Sequence, residues 1–300
     1  MRIEQITIVG TGLIGASFGL AIRQHGFGGR IVGCDRAAVL ETARQIRAID
    51  AGVPDPVQAA RGSQIVVLAT PVGAIIDLIE RLGPLLPAET LLTDVGSTKA
   101  EIVARARAVF GSAAGERFLG GHPMAGKAHP GVEHADADLF QNAAWLLTPC
   151  ENQNLLAGAC GAYLALLETI GTRVMTFDPQ QHDRVCAWVS HLPQMVATAL
   201  AGALVEEAET EAFAAGEDSA QHLSHLHEID GRTLREMTRV ASSPYAVWRD
   251  VALTNASNIE AALAKLEQRL AHIREHLRGP ELREEFEQAN RFRAAVRTKE

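Results

Sequence analysis

The sequence lacks several features that would place the protein in a specialised class. It has 4 cysteines in 300 residues, and none of them shows a C-x-x-C spacing. We therefore expect buried thiols in a reducing compartment rather than a disulfide framework or a zinc site. No uncharged apolar stretch reaches the length of about 18 residues that a membrane span requires. The mean hydropathy of +0.03 also argues against a membrane protein.

An excess of basic residues is also lacking. The chain carries 28 Lys and Arg against 36 Asp and Glu, so its net charge is −8. Nucleic acid is therefore not an expected partner, because phosphate binding needs a basic surface. The N-terminal sequence enters a strand at once and shows no signal-peptide pattern, which predicts a cytoplasmic protein.

The first half of the chain alternates short β-branched runs with helical segments. The clearest runs are apolar at every position, and they cover residues 6–9, 31–34, 65–69 and 91–94. Strands of this kind are covered on both faces, which predicts a mainly parallel sheet with helices on each side. Weaker strand candidates cover residues 118–121, 144–147 and 174–177.

The character of the sequence changes at Asp178-Pro179, which is a helix-start signal. No convincing strand follows, and residues 259–277 repeat apolar side chains at helical spacing. Because single cores rarely grow much past about 250 residues, we predict two domains. An α/β dinucleotide-binding (Rossmann) domain is expected over residues 1–178, and an all-helical domain over residues 179–300.

A cofactor motif follows the first predicted strand. Gly10-Thr11-Gly12-Leu13-Ile14-Gly15 has the form G-x-G-x-x-G and opens a predicted helix. Its glycines allow a tight turn, close approach to a pyrophosphate and close packing of helix on strand. Asp35, at the end of the second strand, is suited to the adenine ribose, and its charge favours NAD over NADP. Arg36 keeps NADP as an alternative.

Thr70-Pro71 follows the third clear strand. Since ligands of such sheets bind at the carboxyl ends of the strands, this turn is expected near the ribose or nicotinamide. A simple helix start is the equally weighted alternative.

Two further motifs follow neighbouring strands. Asp94-Val-Gly-Ser-Thr-Lys99 contains Ser97, and Gly121-His-Pro-Met-Ala-Gly126 contains His122. A serine and a histidine at adjacent strand ends are expected to share a hydrogen bond, and a neutral histidine accepts protons well near pH 7. A capped structural histidine is the alternative, but the flanking glycines favour a catalytic one.

With these motifs the chain resembles the prephenate/arogenate (cyclohexadienyl) dehydrogenase family of tyrosine biosynthesis. Other matching segments are His182-Asp183, Ser190-His-Leu-Pro193, and Thr238-Arg-Val-Ala-Ser-Ser243 followed by Trp248-Arg-Asp250. The resemblance implies NAD-dependent oxidative decarboxylation of prephenate to 4-hydroxyphenylpyruvate, with arogenate oxidation or dual specificity as alternatives. It also implies that the helical domain over residues 179–300 binds substrate and joins two chains into a homodimer.

The resemblance assigns roles by position. His122 matches the catalytic histidine, and Ser97 matches the serine that hydrogen-bonds it. Arg239 matches the arginine that binds a substrate carboxylate. His191 matches a residue lining the substrate pocket, and Trp248 lies in the segment that helps close it.

The chain departs from the family pattern at two positions. Gln194 stands where many members carry a second histidine, and Lys127 stands where many carry Ser or Thr. Both are expected near the substrate side chain, so they bear on the choice between prephenate and arogenate. Lys127 favours prephenate as the predicted substrate, because its charge would repel the arogenate ammonium. No regulatory amino-acid-binding extension is expected.

Two other functions compete with this one. A β-hydroxyacid dehydrogenase has a similar domain pair, but the histidine and arginine motifs fit it poorly. A non-catalytic NAD(H) sensor would not need Ser97, His122 and Arg239 together. No metal is expected. The cluster His222, His225, His227, Glu228 and Asp230 is interpreted as a solvated helix or loop, and His129, His134, Asp136 and Asp138 as a mobile polar lid.

Overall fold

A computed structural model describes residues 1–127, 129–216, 218, 220, 228 and 231–297. Its strands are β1 (Gln5–Val9), β2 (Arg30–Cys34), β3 (Ala51–Gly52), β4 (Ile65–Leu68), β5 (Leu91–Asp94), β6 (Phe118–Pro123), β7 (Ala144–Pro149) and β8 (Arg173–Thr176). They form one sheet in the order β3-β2-β1-β4-β5-β6-β7-β8. The clear and the weaker predicted strands are all confirmed, whereas the short β3 was not predicted.

The sheet is mainly parallel, as predicted. The strands β1 to β6 pair in parallel, β7 runs antiparallel to β6, and β8 runs parallel to β7. The chain fills one half of the sheet from β1 outward to β3 and then crosses back to place β4 on the other side of β1. Ligands of doubly wound sheets bind at such a switch point, outside the carboxyl ends of the strands.

Helices follow most strands. The first nine are α1 (Leu13–Gln24), α2 (Ala37–Gln45), α3 (Pro56–Ala60), α4 (Val72–Leu82), α5 (Ala100–Phe110), α6 (Ala114–Arg117), α7 (Gly158–Thr169), α8 (Pro179–Cys186) and α9 (Leu192–Ala215). Further helices cover Arg232–Thr238, Tyr245–Thr254, Ala256–Glu275 and Glu281–Arg297. The predicted helical character after residue 178 is thus confirmed for the residues in view.

The apolar core has two layers, one on each face of the sheet. In β4, Ile65 and Val67 join one cluster of buried side chains, while Val66 and Leu68 join the other. All four side chains are fully buried. Helices α1 and α7 cover the first layer, and helices α4 and α5 cover the second. Strands that bury both faces need apolar residues at every position, which explains the continuous runs in the sequence.

The predicted helix start at Asp178-Pro179 is confirmed. The Asp178 carboxylate accepts hydrogen bonds from the backbone N–H groups of Gln180 and Gln181, each at 3.0 Å. Between α8 and α9 the helix widens into a π-turn over Ala187–His191. Pro193 offers a physical reason, because it has no N–H for the carbonyl four residues earlier. Such π-turns are frequent at functional sites, and this one carries His191.

By length and composition, one helical run in the described chain is long and apolar enough to cross a membrane. It covers Pro179–Ala214, with a mean hydropathy of 1.2 over its best window and 22% of that window buried. Large apolar side chains are exposed along it, including Val189, Val205 and Phe213.

The chain divides into two compact units, Met1–Asn255 and the segment from Ala256 onward. In the second unit, the helix Ala256–Glu275 confirms the helix predicted over residues 259–277. An ion pair between Arg269 and Glu285 at 2.8 Å joins it to the helix Glu281–Arg297. The predicted domain boundary after residue 178 stays a prediction. His222, His225, His227 and Asp230 lie outside the described residues.

Candidate functional site

The glycine motif forms a tight turn between β1 and α1 at the switch point of the sheet. Gly10 has φ +94°, and a Cβ there would lie 2.4 Å from the Ala69 carbonyl oxygen. A Cβ on Gly15 would lie 1.9 Å from the carbonyl oxygen of Gly10, so helix and strand pack at backbone contact. A Cβ on Gly12 would meet nothing within 4 Å. Open space therefore adjoins the N-terminus of α1, where unpaired N–H groups favour an anion.

Polar groups surround this open space. Asp35 accepts hydrogen bonds at 2.8 Å from the backbone N–H groups of Thr11 and Arg36, so its carboxylate is fixed beside the turn. The hydroxyls of Thr11 and Thr70 are buried and have no hydrogen-bond partner among the described residues. Pro71 precedes the first residue of α4. Leu13 and Ile14 begin α1 on the other side of the turn. Unpaired buried hydroxyls and a cradle open at Gly12 fit a dinucleotide.

A buried ion pair holds the next strand end in place. Asp94, the last residue of β5, pairs with Lys99, and both side chains are fully buried. Asp94 also accepts hydrogen bonds from the backbone N–H groups of Gly96 at 2.8 Å and Gly121 at 3.2 Å. Burial raises the pKa of Asp94 and lowers the pKa of Lys99, while their mutual attraction opposes both shifts. This carboxylate thus fastens the turn after β5 to the strand that carries His122.

A chain of hydrogen bonds leads from the N-terminus of α5 to His122. Asp183 in α8 accepts hydrogen bonds from the backbone N–H groups of Lys99 at 2.7 Å and Ala100 at 2.9 Å. Its Oδ1 also lies 2.8 Å from Nδ1 of His182. Nε2 of His182 lies 2.9 Å from Nδ1 of His122. The chain is buried throughout, with His122 at 7% exposure at its end.

This chain assigns the tautomers of both rings. The Asp183 carboxylate accepts from Nδ1 of His182, so the Nε2 atom of that ring accepts from Nδ1 of His122. The lone pair of His122 is then on Nε2, where a general base needs it. Burial first, and then the charges of His182 and Lys99, hold the pKa of His122 well below its usual 6.5. Burial also lowers the pKa of His182, so both rings are neutral near pH 7.

The predicted hydrogen bond between Ser97 and His122 stays a prediction. Among the described residues, His182 occupies the Nδ1 side of His122, so Ser97 would have to approach the Nε2 side. Ser97 is half-buried in the turn between β5 and α5. Asp94 and Asp183 hold this turn, so Ser97 lies close in the chain to the residues that fix His122.

His191 lies fully buried in the π-turn. Its Nδ1 is 3.1 Å from the side-chain nitrogen of Asn255, which donates, so the ring proton is on Nε2. That Nε2 is buried, and the Ser97 backbone is the group that it bonds. Burial lowers the pKa of His191 to about 4, while the hydrogen bond with Ser97 opposes this shift. The Trp248 ring contacts His191 edge-on, with ring centroids 5.9 Å apart.

Arg239 and Gln194 belong to one local arrangement. Arg239 begins a short 3₁₀ turn over Arg239–Ser242 and is exposed. The Gln194 side-chain nitrogen donates to the Val240 carbonyl at 2.9 Å and to the Thr198 hydroxyl at 3.3 Å. Gln194 therefore ties the turn that carries Arg239 to α9. The contact of Gln194 with substrate stays a prediction. Since its side-chain nitrogen already donates to Thr198 and Val240, its side-chain oxygen is the atom that could contact substrate.

Lys127 is engaged too. Its ammonium lies 2.9 Å from the Asp136 carboxylate and donates to the His134 carbonyl at 3.0 Å. The hydrogen bond from Lys127 lowers the pKa of Asp136. In this loop the rings of His129 and His134 lie 5.5 Å apart, and no three-residue metal group was found there among the described residues.

The sequence motifs contained further site residues whose roles were not predicted. Asp94 and Lys99 lie five residues apart in one motif, and a lysine in an otherwise apolar and small-residue turn is a signal for a buried partner. Asp183 follows His182 directly, but which helix it caps depends on the packing of α8 against α5. No local pattern carries that information.

Comparison with known proteins decides the family. Residues 18–176 match the family described as "Prephenate dehydrogenase, nucleotide-binding domain", and residues 178–293 match "Prephenate dehydrogenase, dimerization domain". A prephenate dehydrogenase of Lactococcus lactis is 33% identical over 273 residues, which cover 91% of this chain and 70% of that protein. This chain belongs to the prephenate dehydrogenase family. It is therefore an oxidoreductase with a nucleotide-binding domain.

Solved structures of the prephenate dehydrogenase family share the whole fold. The A. aeolicus prephenate dehydrogenase, crystallised with hydroxyphenyl propionate and NAD⁺, has a TM-score of 0.82 and 29% identity, covering 100% of this chain and 98% of that one. The Synechocystis arogenate dehydrogenase has a TM-score of 0.74 and 29% identity, covering 97% and 99%. Both kinds of substrate thus occur among its structural relatives.

The buried pair Asp94–Lys99 makes a stability prediction. Lys99→Met should lower the free energy of unfolding by about 3–5 kcal/mol, because it leaves the Asp94 carboxylate buried without its counter-charge. Urea denaturation measures this loss, and the double variant Asp94→Asn/Lys99→Met should recover much of it. Arg105→Met is the control, since it breaks a half-exposed pair with Glu80 and should cost at most about 1 kcal/mol. Equal losses in Lys99→Met and Arg105→Met would contradict the assignment.

Proposed function

We propose that the protein catalyses the NAD-dependent oxidative decarboxylation of prephenate to 4-hydroxyphenylpyruvate. The observation that carries this proposal is the hydrogen-bonded chain from Asp183 through His182 to His122. It holds a buried, neutral imidazole in the tautomer that a general base requires. The family membership supports the reaction class, and the relative from L. lactis supports prephenate. Arogenate, or both substrates, is the alternative, which the likeness to the Synechocystis enzyme supports.

In this mechanism Nε2 of His122 accepts the proton of the C4 hydroxyl of prephenate as hydride leaves C4. A bound nicotinamide supplies the hydride acceptor. The imidazolium that forms keeps its Nδ1–H on His182, and the Asp183 carboxylate stabilises the positive charge through that ring. The oxidised substrate ring then loses CO2, and the gain of aromaticity drives this step. His122 is therefore the proposed base. Ser97 is the second proposed catalytic residue, with the role of orienting His122 that the family resemblance implies.

Substrate binding is proposed to fall to four residues of the helical segments and to Lys127 in the loop after β6. Arg239 is proposed to bind a carboxylate through its planar fork, which suits bidentate contact better than a lysine does. His191 is proposed to line the substrate pocket, because it is buried in the π-turn beside Trp248. Trp248 packs on His191 and forms a wall of the pocket. Gln194 and Lys127 are the remaining residues of the proposed substrate site. Gln194 holds the turn that carries Arg239, and Lys127 holds the loop that contains Asp136.

The proposed cofactor site consists of the glycine turn and the groups around it. These residues are Gly10, Thr11, Gly12, Leu13, Ile14, Gly15, Asp35, Arg36, Thr70 and Pro71. The pyrophosphate is proposed to lie over Gly12, and the ribose hydroxyls to bond with Asp35. NAD is the proposed cofactor over NADP, because the fixed Asp35 carboxylate repels a 2′-phosphate.

A homodimer is the proposed assembly. The matched dimerization domain of the family and the exposed apolar side chains along Pro179–Ala214 support it, since apolar patches of this kind mark interaction surfaces. A cytoplasmic location is part of the same proposal.

The catalytic assignment is tested at His122. His122→Asn should bind the cofactor normally and lose about 10²- to 10⁴-fold in kcat. Asp183→Asn should also lower kcat, because the amide lacks the negative charge and has only one acceptor oxygen for the three donors that Asp183 holds. Ser97→Ala should be milder. The acid limb of kcat/KM should lie below pH 6.5, the usual histidine value, since burial depresses the pKa of His122. A His122→Asn variant with near wild-type kcat would mean that another group is the base.

Cofactor choice is tested by the ratio of kcat/KM for NAD and NADP. The wild type should prefer NAD, and Asp35→Ser should narrow the preference because it removes the charge that repels the phosphate. Arg36→Ala is the matched variant. It should lower kcat/KM for NADP and leave kcat/KM for NAD unchanged. A wild-type preference for NADP would reverse the assignment and give the leading role to Arg36.

Substrate choice is tested by the ratio of kcat/KM for prephenate and arogenate. Prephenate should be preferred, and Lys127→Thr should shift the ratio toward arogenate, since a cation is removed that repels the arogenate ammonium. Lys127→Arg keeps the charge and should keep the ratio. A strong wild-type preference for arogenate would overturn the assignment. An unchanged ratio in Lys127→Thr would remove Lys127 from it and leave its ion pair with Asp136 as its role.

A further inference from the structure

We propose that His122, His182 and Cys186 form a binding site for one thiophilic divalent cation such as Zn²⁺, and that the bound cation switches off the base. The three side chains come from β6 and α8 and meet in one buried cluster. Binding of the cation depends on the cluster alone, whereas the inhibition rests on the proposed function of His122.

The geometry of the cluster is close to that of a tetrahedral zinc site. Nδ1 of His122 and Nε2 of His182 lie 2.9 Å apart, and the Cys186 sulfur lies 3.5 Å from the latter and 3.9 Å from the former. Zn–N bonds of about 2.0–2.1 Å and Zn–S bonds of about 2.3 Å place tetrahedral ligands roughly 3.3–3.6 Å apart. Each separation therefore needs to change by less than about 0.5 Å. Because the protein supplies three ligands, a water molecule would take the fourth position.

Cys186 differs from the other three cysteines in its surroundings. Cys160 belongs to one layer of the apolar core, and Cys34 and Cys150 belong to the other. Cys186 is fully buried but belongs to neither layer, and its sulfur faces two imidazole nitrogens. A thiol in that position adds a soft ligand to two imidazoles, the combination that zinc and copper prefer.

The groups around the cluster suit a cation. Asp183 holds Nδ1 of His182 at 2.8 Å, and a carboxylate behind a ligating histidine orients the ring and raises its basicity. The Cys186 thiol gives up its proton to solvent on coordination. The resulting thiolate and the Asp183 carboxylate together balance the two positive charges. Lys99 adds no net charge, because it is paired with Asp94.

Coordination disables His122 as a base for a specific reason. The cation takes the lone pair of Nδ1, so the proton of the neutral ring moves to Nε2. An Nε2–H donates and has no lone pair for the hydroxyl proton of a substrate. The cation also removes the hydrogen bond between His122 and His182. One bound cation therefore blocks proton transfer while the glycine turn and its cofactor residues remain as they are.

The test titrates the full-length protein with Co²⁺ and with Zn²⁺. Co²⁺ should give the visible bands of a tetrahedral site together with a thiolate-to-cobalt band, and Zn²⁺ should displace it at about one ion per chain. Zn²⁺ should inhibit turnover, and a chelator should restore it. Cys186→Ser should lose the thiolate band and need on the order of 100-fold more Zn²⁺ to inhibit its own basal turnover by half. Cys186→Ala, which adds no hydroxyl, should behave in the same way.

Cys160→Ser is the matched control, because it changes a buried cysteine next to Gln153 rather than His182. It should keep the wild-type cobalt spectrum and the wild-type sensitivity to Zn²⁺. Comparison of Cys186→Ser with the wild type also separates this site from cation binding elsewhere on the chain. A wild-type cobalt spectrum without the thiolate band would overturn the site, as would equal Zn²⁺ sensitivity in Cys186→Ser. Binding without inhibition would overturn the switch, whereas a His122→Asn variant that keeps its kcat would refute the proposed function and leave the site intact.

Discussion

The buried carboxylate of Asp183 is the contact on which the arrangement of the site depends. It caps the N-terminus of α5 through two backbone N–H groups and holds Nδ1 of His182 with the same group. One side chain from the helical part of the first unit thereby fixes the turn after β5 and the tautomer of a histidine. A buried carboxylate is costly unless its oxygens are satisfied. Three hydrogen bonds and the helix dipole meet that requirement.

The Asp94–Lys99 pair has a similar effect on the opposite side of the turn. Asp94 holds Gly96 and Gly121 through their backbone N–H groups, so the ends of β5 and β6 cannot separate without exposing a buried charge. The turn between β5 and α5 is thus held by Asp94 and by Asp183. His122 acquires its place from this rigid frame, and its buried position keeps the ring neutral.

The sequence predicted the fold well because the two patterns that indicate it, the apolar runs and the glycine motif, are local. Continuous apolar runs identified the parallel strands, and Gly10 to Gly15 identified the turn that approaches a ligand. The two-residue strand β3 was not predicted, since a strand of that length shows no pattern in the sequence. For the site, the sequence predicted His122 as the base and Ser97, at the next strand end, as its partner, and both roles stay predictions. The contact of His122 with His182 was not predicted, because it depends on the packing of α8. The contacts that engage Gln194 and Lys127 were not predicted either, because they join segments far apart in the chain or lie within one loop.

The way in which the chain of hydrogen bonds ends has a consequence for proton traffic. Beyond His182 the chain stops at Asp183, whose other hydrogen bonds come from backbone amides, and these do not release protons. The chain is therefore a closed end rather than a wire to solvent. In the proposed mechanism, a proton taken up by Nε2 of His122 therefore leaves by that same atom. The base is then restored only after the product has left Nε2, so recovery of the enzyme follows product release.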